Sequence, residues 1–383
     1  MAKPEGMILP GTTLGILGGG QLGRLFVLAA REMGYRVMVL DPDRNSPAGS
    51  LANWHLCAEY DDVTALQRMA RECVAVTTEF ENVPADTLRM LSASCPVRPS
   101  AQAVATVQHR IHEKQWLQAQ GFATAAFAVV SSEDDLTSAA ELTGFPAILK
   151  VARFGYDGKG QARVACLDDA RRAFAEMGKE TCVLERLVEL YKEVSVVLAR
   201  NAMGETVCFP VVENQHVNGI LDISIAPARV DAALAKVASA TAINIATRLD
   251  YHGVLAVEFF VTTDGALLVN ELAPRPHNSG HYTLDACLVS QFELQVRALC
   301  NLPLGGVSQH TPAVMVNLLG DNWQSGHPDW AALLRHPQVK LHCYGKESAR
   351  PGRKMAHFTC LDASVAAALA LAQSLQGSLK EHG

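Results

Sequence analysis

Apolar and polar positions divide the chain into three stretches with different rhythms. In the first, the apolar run Leu14–Leu17 enters Gly18-Gly19-Gly20-Gln21-Leu22-Gly23-Arg24. A helical period follows over about 22–33, then Gly34, then a second apolar run from Arg36 to Leu40 that closes on Asp41. Strand, glycine turn, helix and strand make a βαβ unit. The pattern predicts further elements: a helix near 64–72, a strand near 73–78 and a helix near 101–120. The second stretch predicts strands at 145–151, 181–184 and 194–198, and two more across 254–273. The third predicts strands at 313–319 and 339–344, a helix at 330–335, and a final helix at about 362–376 that packs over its own domain.

The stretch 254–281 carries the densest chemistry. Its two apolar runs meet at Asp264-Gly265, a dipeptide suited to a two-residue type I′ turn. With that turn, Glu258 faces Glu271 across the hairpin. Two facing carboxylates repel, unless a divalent cation lies between them. An edge pair in a slipped register is the other reading, since one residue of slip separates them. Arg275, His277, Asn278, Ser279 and His281, set between and after prolines, favour a site.

Two other motifs bear on phosphate. Gly18 to Gly23 spell G-x-G-x-x-G with Asp41 ending the next strand, which by itself reads as dinucleotide binding and an NAD-linked oxidoreductase. Glu79 follows a strand's carboxyl end, where open α/β sheets bind ligands, or else caps the next helix. In the second stretch Lys150 sits inside an apolar strand, which is costly without an anion. Arg153 to Gln161 then place three glycines around Lys159, either as a loop closing over a polyphosphate or as an ordinary hairpin loop. Near the end, Lys346, Arg350, Arg353 and Lys354 gather around Pro351-Gly352. This is a solvated turn or a phosphate clamp.

Length and composition bound the rest. With 383 residues, 49% of them apolar, and a mean hydropathy of +0.10, the chain forms two or three globular domains. A net charge of −6 gives no basic field for nucleic acid or anionic membrane. Ten cysteines lack C-x-x-C spacing and read as reduced thiols of a cytoplasmic protein. No secretory signal and no transmembrane run is expected.

Taken in order, Lys150, the Gly155–Gly160 loop, Glu185-Arg186-Leu187-Val188, Glu193, Glu258 and Asn270-Glu271 resemble the ATP-grasp ligases. Adding Gly18–Arg24, Thr77–Val83, Phe154–Gln161, Asn270–His281 and Lys346–His357, the chain resembles the 5-(carboxyamino)imidazole ribonucleotide synthetases of purine biosynthesis over essentially its whole length. The resemblance implies an α/β and α+β multidomain fold. A Rossmann-like substrate domain would span 1–110, an ATP-grasp domain of two subdomains 111–302, and a small β-rich domain 303–383. It implies an ADP-forming carbon–nitrogen ligase that uses ATP, Mg²⁺ and bicarbonate to carboxylate 5-aminoimidazole ribonucleotide through carboxyphosphate, and a homodimer.

Residue by residue, it implies ATP contacts from Arg110, Lys150, Gly155, Tyr156, Asp157, Gly158, Lys159, Gly160, Gln161, Glu185, Arg186, Leu187, Val188, Glu193 and His216, with Asn270 and Glu271. Glu258 and Glu271 would hold Mg²⁺. Tyr156, Asp157, Arg275 and His277 would serve catalysis. Gln21, Leu22, Glu79, Asn278, Ser279, Lys346, Arg353 and Lys354 would meet the ribonucleotide. His109 and Arg186 depart from the family pattern. A formate-dependent glycinamide ribonucleotide transformylase is the nearest alternative, the oxidoreductase a more distant one, and a non-catalytic nucleotide sensor a third.

Overall fold

The computed structural model describes residues 6–153, 155, 160–324 and 326–381. Its first sheet is parallel and four-stranded. It contains β1 (Thr13–Leu17), β2 (Arg36–Leu40), β3 (Trp54–Leu56) and β4 (Ala75–Thr78), in the order β3-β2-β1-β4. The helix Gln21–Glu32 crosses between β1 and β2, as the alternation predicted. Both faces of this sheet are covered, so its strands read as unbroken apolar runs.

A second, antiparallel sheet holds β5 (Phe127–Val130), β6 (Ala147–Val151), β7 (Gln161–Val164) and β8 (Cys182–Arg186), in the order β5-β8-β6-β7. The third sheet is the largest. It comprises β9 (Leu190–Arg200), β10 (Thr206–Cys208), β11 (Val212–Val217), β12 (Ile220–Ala226), β13 (Gly253–Thr262), β14 (Leu267–Ala273), β15 (Ala313–Leu319), β16 (Val339–Cys343) and β17 (Lys354–Leu361). Its order is β14-β13-β9-β11-β12-β15-β17-β16, with β10 beside β9. The strands after residue 303 therefore extend the sheet of the middle stretch.

The expected helix over 101–120 is two helices, Ala101–Val107 and Arg110–Ala119, broken at Gln108-His109. The break places Arg110 in a first helical turn, and His109 stacks on His112 at 4.2 Å between ring centres. The final helix, Val365–Glu381, packs its alanine and leucine face on β12, β15 and β17. Helix Gln291–Leu299 ties the first sheet to the third. Val296, Leu299 and Cys300 share a core with Leu14, Ile16 and Phe26, and buried Arg98 donates to the carbonyls of Ala298 and Leu299 at 2.9 and 2.7 Å. Among the described residues, no helix is long and apolar enough to cross a membrane.

Candidate active site

The β13–β14 hairpin does pair Glu258 with Glu271, but by a route the turn did not predict. The loop has three residues, Thr263-Asp264-Gly265. It is closed by the Thr262 amide donating to the Ala266 carbonyl, with Gly265 at φ +85°. That shifts the register by one. A bulge at Asn270 then shifts it back, because Phe259 pairs with Val269 while Glu258 pairs with Glu271. The bulge has a second effect. Strict alternation would leave Glu271 on the same face as Val269, in the core. Instead Val269 packs with Val257 and Phe259 inside, and Glu271 turns to the other face beside Glu258. Asn270 Oδ1, at the bulge, is buried without a partner.

Each carboxylate has a basic side chain as its own partner. Glu258 Oε1 accepts from His277 Nε2 at 3.0 Å. Burial would raise Glu258, but His277 more than offsets it, together with His216 and Lys354, and holds it at about 2. Glu271 meets Arg110 at 3.4 Å and is 41% exposed. No group of three or more histidine, cysteine or acidic side chains is arranged for a metal among the described residues. Two facing carboxylates and an orphaned amide oxygen are nonetheless hard oxygen donors of the type Mg²⁺ takes.

Beside them lies a buried cationic cluster. Glu185 Oε2 is 3.0 Å from Lys150 Nζ and 3.3 Å from Lys114 Nζ. Lys150 reaches diagonally across the β6–β8 pair, where Glu185 lies opposite Ile148. Burial alone would raise Glu185, yet Lys150, Lys114 and Arg110 bring it to about 2. For Lys150, burial outweighs the help from Glu185 and lowers it. Glu113 accepts from the Leu272 amide at 2.6 Å. Burial, with Glu271 nearby, pushes it up to about 8. With Glu113 pushed toward its neutral form, three basic side chains, Lys114, Lys150 and Arg110, pair with two carboxylates, Glu185 and Glu271. The surplus is positive, which suits phosphate.

Lys114 and Glu113 escaped the sequence reading. A signal existed: Arg110, Glu113, Lys114 and Leu117 fall at helical spacing on one stripe, so charged side chains occupy the inward face with buried Leu117.

His216 Nδ1 is 2.6 Å from Glu193 Oε2, and that contact raises His216 despite the opposing effect of burial. Arg186 turns away and donates to the Thr143 carbonyl at 2.8 Å, so only its backbone remains near the strand end. Leu187 and Val188 are half-buried just past β8. Gly155 lines a cleft with Arg110, Arg153 and Glu271. Gly160 accepts from the Val151 amide at 2.8 Å, and Gln161 pairs with Lys150 in the β6–β7 ladder. Tyr156, Asp157, Gly158 and Lys159 lie outside the described residues.

Arg275 Nε donates to Glu81 Oε2 at 2.6 Å. His277 is clamped at its backbone by buried Gln291, which accepts from its amide at 2.8 Å and donates to its carbonyl at 2.7 Å. Asn278 is buried with neither side-chain polar atom partnered. Ser279 does not open to a cleft: it is fully buried, and its hydroxyl lies 2.8 Å from His277 Nδ1. Fully buried His281 stacks near His357, 4.8 Å between ring centres, which seats this turn against β17.

The first domain and the C-terminal basic turn meet in a cleft of about 220 Å³ lined by Gly19, Gly20, Asp41, Tyr60, Glu79, Lys346 and Arg353. Lys346 Nζ donates to Gln21 Oε1 at 2.9 Å. Arg353 is held by Ser348, through its carbonyl at 3.0 Å and its hydroxyl at 2.8 Å. Lys354 opens β17 and acts electrostatically on Glu258 and His216. Leu22 packs against Leu25, Phe292 and Tyr344.

The glycine turn itself is filled from within. Glu79 accepts from the amides of Gly20 and Gly23, the latter at 2.6 Å, and Asp41 accepts from Gly19 at 2.6 Å. Those amides would otherwise hold a pyrophosphate. The dinucleotide reading of Gly18–Gly23 fails for this reason.

Comparison with known proteins agrees with the geometry. A ribonucleotide synthetase preATP-grasp domain matches residues 11–108, an ATP-grasp domain 115–292, and a phosphoribosylaminoimidazole carboxylase C-terminal domain 313–371. The N5-carboxyaminoimidazole ribonucleotide synthase of Brucella melitensis is 44% identical, over 91% of this chain and 96% of that one. The chain belongs to the N5-carboxyaminoimidazole ribonucleotide synthase family. The Bacillus subtilis synthase is 43% identical, over 92% of each chain. The solved ADP complex of a synthetase of this family superposes with a TM-score of 0.92 at 43% identity, covering 98% of both chains. The Aspergillus clavatus synthase, solved with ADP and 5-aminoimidazole ribonucleotide, gives 0.89 at 30% identity, over 97% of this chain and 99% of that one. The fold is thus an ATP-grasp fold with a pre-ATP-grasp domain and a small C-terminal domain, and the chain is an ATP-using, ADP-forming ligase.

Proposed function

We infer that this chain carboxylates the amine of 5-aminoimidazole ribonucleotide with ATP and bicarbonate, in de novo purine biosynthesis. The observation that carries the reading is the meeting of three side-chain sets. They are the surplus of cations at Lys114, Lys150 and Arg110, the facing Glu258 and Glu271, and Arg275 at the end of the same strand. Family membership supplies the substrate, and neither a glycinamide nor a nicotinamide reaction fits the named relatives.

The chemistry follows from the reactants. Bicarbonate oxygen attacks the γ-phosphorus of ATP, the bond to ADP breaks, and carboxyphosphate forms. The amine of the ribonucleotide then takes the carboxyl carbon, phosphate leaves, and the amine gives up a proton. No side-chain nucleophile is required, so the protein contributes positioning and charge neutralisation. Lys150 and Lys114 would stabilise the phosphate oxygens, and Arg275 would hold bicarbonate. His216 and Glu193, with the backbone at 185–188, would hold the rest of the nucleotide. Gln21, Lys346, Arg353 and Lys354 would orient the ribonucleotide and its 5′-phosphate, with Asn278 at the edge of the pocket. By sequence match alone, Asp157 would take the amine proton and Tyr156 would meet the aminoimidazole.

Glu258, Asn270 and Glu271 would hold Mg²⁺, which offsets charge on the transferring phosphoryl group when bound. The orphaned Asn270 oxygen and the facing carboxylates support this assignment. The division into 1–110, 111–302 and 303–383, a homodimer and a cytoplasmic location belong to the same reading and rest on the family resemblance.

The test is a coupled assay on pure protein. ADP release that requires both bicarbonate and aminoimidazole ribonucleotide supports the reading. ADP release driven by formate and glycinamide ribonucleotide, or none with any of them, removes it. Thermal stabilisation by Mg-ATP but not by NAD(H) is expected alongside.

A further inference from the structure

Beneath the carboxylate pair runs a chain of buried hydroxyl and amide groups to which the reaction assigns no role. Glu258 lies opposite Ser195 on β9. Ser195 Oγ is 2.8 Å from Ser279 Oγ and 2.9 Å from Asn214 Nδ2, and Asn214 Oδ1 is 3.0 Å from Ser224 Oγ. Asn214 and Ser224 are directly paired across β11 and β12. The groups therefore follow one another across a single face of β13, β9, β11 and β12. Ser195, Ser224 and Ser279 are fully buried, and Asn214 is 5% exposed.

The direction of the chain is set at the histidine. Glu258 is a carboxylate and accepts, so His277 Nε2, 3.0 Å away, carries a hydrogen. On the other side the Ser279 backbone amide points at His277 Nδ1 at 3.3 Å, and an amide only donates. Nδ1 is therefore an acceptor. The Ser279 hydroxyl, 2.8 Å from the same nitrogen, then also donates to it and must accept from Ser195. Ser195 in turn accepts from the Asn214 amide nitrogen, and Ser224 donates to the Asn214 oxygen. Each bond has one donor and one acceptor.

We propose that Ser279, Ser195, Asn214 and Ser224 are positioning residues that hold His277 in its Nε2–H form and thereby aim the Glu258 carboxylate at Glu271. They touch no reactant and act through His277. The proposal rests on the reading that Glu258 belongs to the phosphate-handling site. Outer partners of a histidine or carboxylate ligand usually change affinity or activity about 10- to 100-fold when removed.

The test combines kinetics with a ring-tautomer measurement. The His277 resonances of ¹⁵N-histidine-labelled protein, identified by their loss in His277→Asn, should show a protonated Nε2 and a bare Nδ1. Ser279→Ala and Ser195→Ala should lower kcat about 10- to 100-fold, with KM for the ribonucleotide unchanged, and should populate the other tautomer. Ser224→Ala, at the far end, should do less. Ser279→Thr, which restores the hydroxyl, should recover both signals. Should Ser195→Ala fail to fold, the Ser279 variants carry the test, since Ser279 lies in a short turn outside the sheet. A wild-type spectrum with the proton on Nδ1, or full kcat in both alanine variants, overturns the proposal. A wild-type enzyme that releases no ADP with the ribonucleotide would overturn the assigned reaction and leave the tautomer result standing.

Discussion

Arg275, two residues past the β13–β14 hairpin, is gripped by Glu81 of the first domain, Nε to Oε2 at 2.6 Å. Burial would raise Glu81, but Arg275 outweighs it and holds the carboxyl below its usual range. The arginine proposed to hold bicarbonate is thus anchored by an acid from another part of the chain. Glu81→Gln should keep the fold, loosen Arg275 and raise KM for bicarbonate about tenfold, as expected for loss of a charged hydrogen bond. Arg275→Met should lower kcat/KM for bicarbonate further. Bicarbonate saturation curves on both variants decide this, and unchanged curves would return Arg275 to a purely structural role.

Glu271→Gln should abolish ADP formation while leaving the melting temperature near wild type. Its side chain is 41% exposed, so folding depends little on its charge. Wild-type turnover in this variant would return the hairpin to ordinary sheet.

Lys114→Met should raise KM for ATP about tenfold or more. The change removes one of the two ammonium groups on Glu185 and takes part of the surplus charge with it. Methionine fills the buried volume without a charge to satisfy, so folding should persist. Equal ATP affinity in mutant and wild type would show that Lys150 and Arg110 suffice.

A pH prediction comes from outside the site. Glu213 pairs with Lys192 at 2.8 Å and with Arg229, and its side chain is 6% exposed. Burial would raise it, but the hydrogen bonds and charges of Arg229 and Lys192 hold it at about 2, against 4.5 unpaired. Its folded-state value is depressed, so its stabilisation is complete above 4.5 and fades as pH falls toward 2. Glu213→Gln should cost on the order of 3 kcal/mol at pH 7. The gap should close in acid. Urea midpoints of both proteins across that range test it, and a constant gap would refute the linkage.

Period and glycine placement made most elements legible. The βαβ unit, the strand at 313–319 and the helices near 64–72 and 330–335 emerged within a residue or two of the expected limits. The hairpin was legible only in part. Its turn was misjudged by one residue, and the bulge at Asn270 restored the pairing that the simple count had suggested. No apolar pattern announces a bulge, because its evidence is the core that Val269 enters on one side and the carboxylate that Glu271 presents on the other.

By itself the sequence determined the order of strands and helices, the family, and the residue types a phosphate-handling site needs, since these depend on local period and on motifs read in order. Only the tertiary structure decided which acids meet which cations. Glu79 plugs the glycine turn, Glu81 holds Arg275, Lys114 joins Lys150 on Glu185, and Ser279 serves His277 from within the core. Those partners are far apart in the chain or indistinguishable from ordinary polar positions. Their roles are set by burial, where an unpaired charge or hydroxyl is costly and the surrounding sheets leave each group a definite partner.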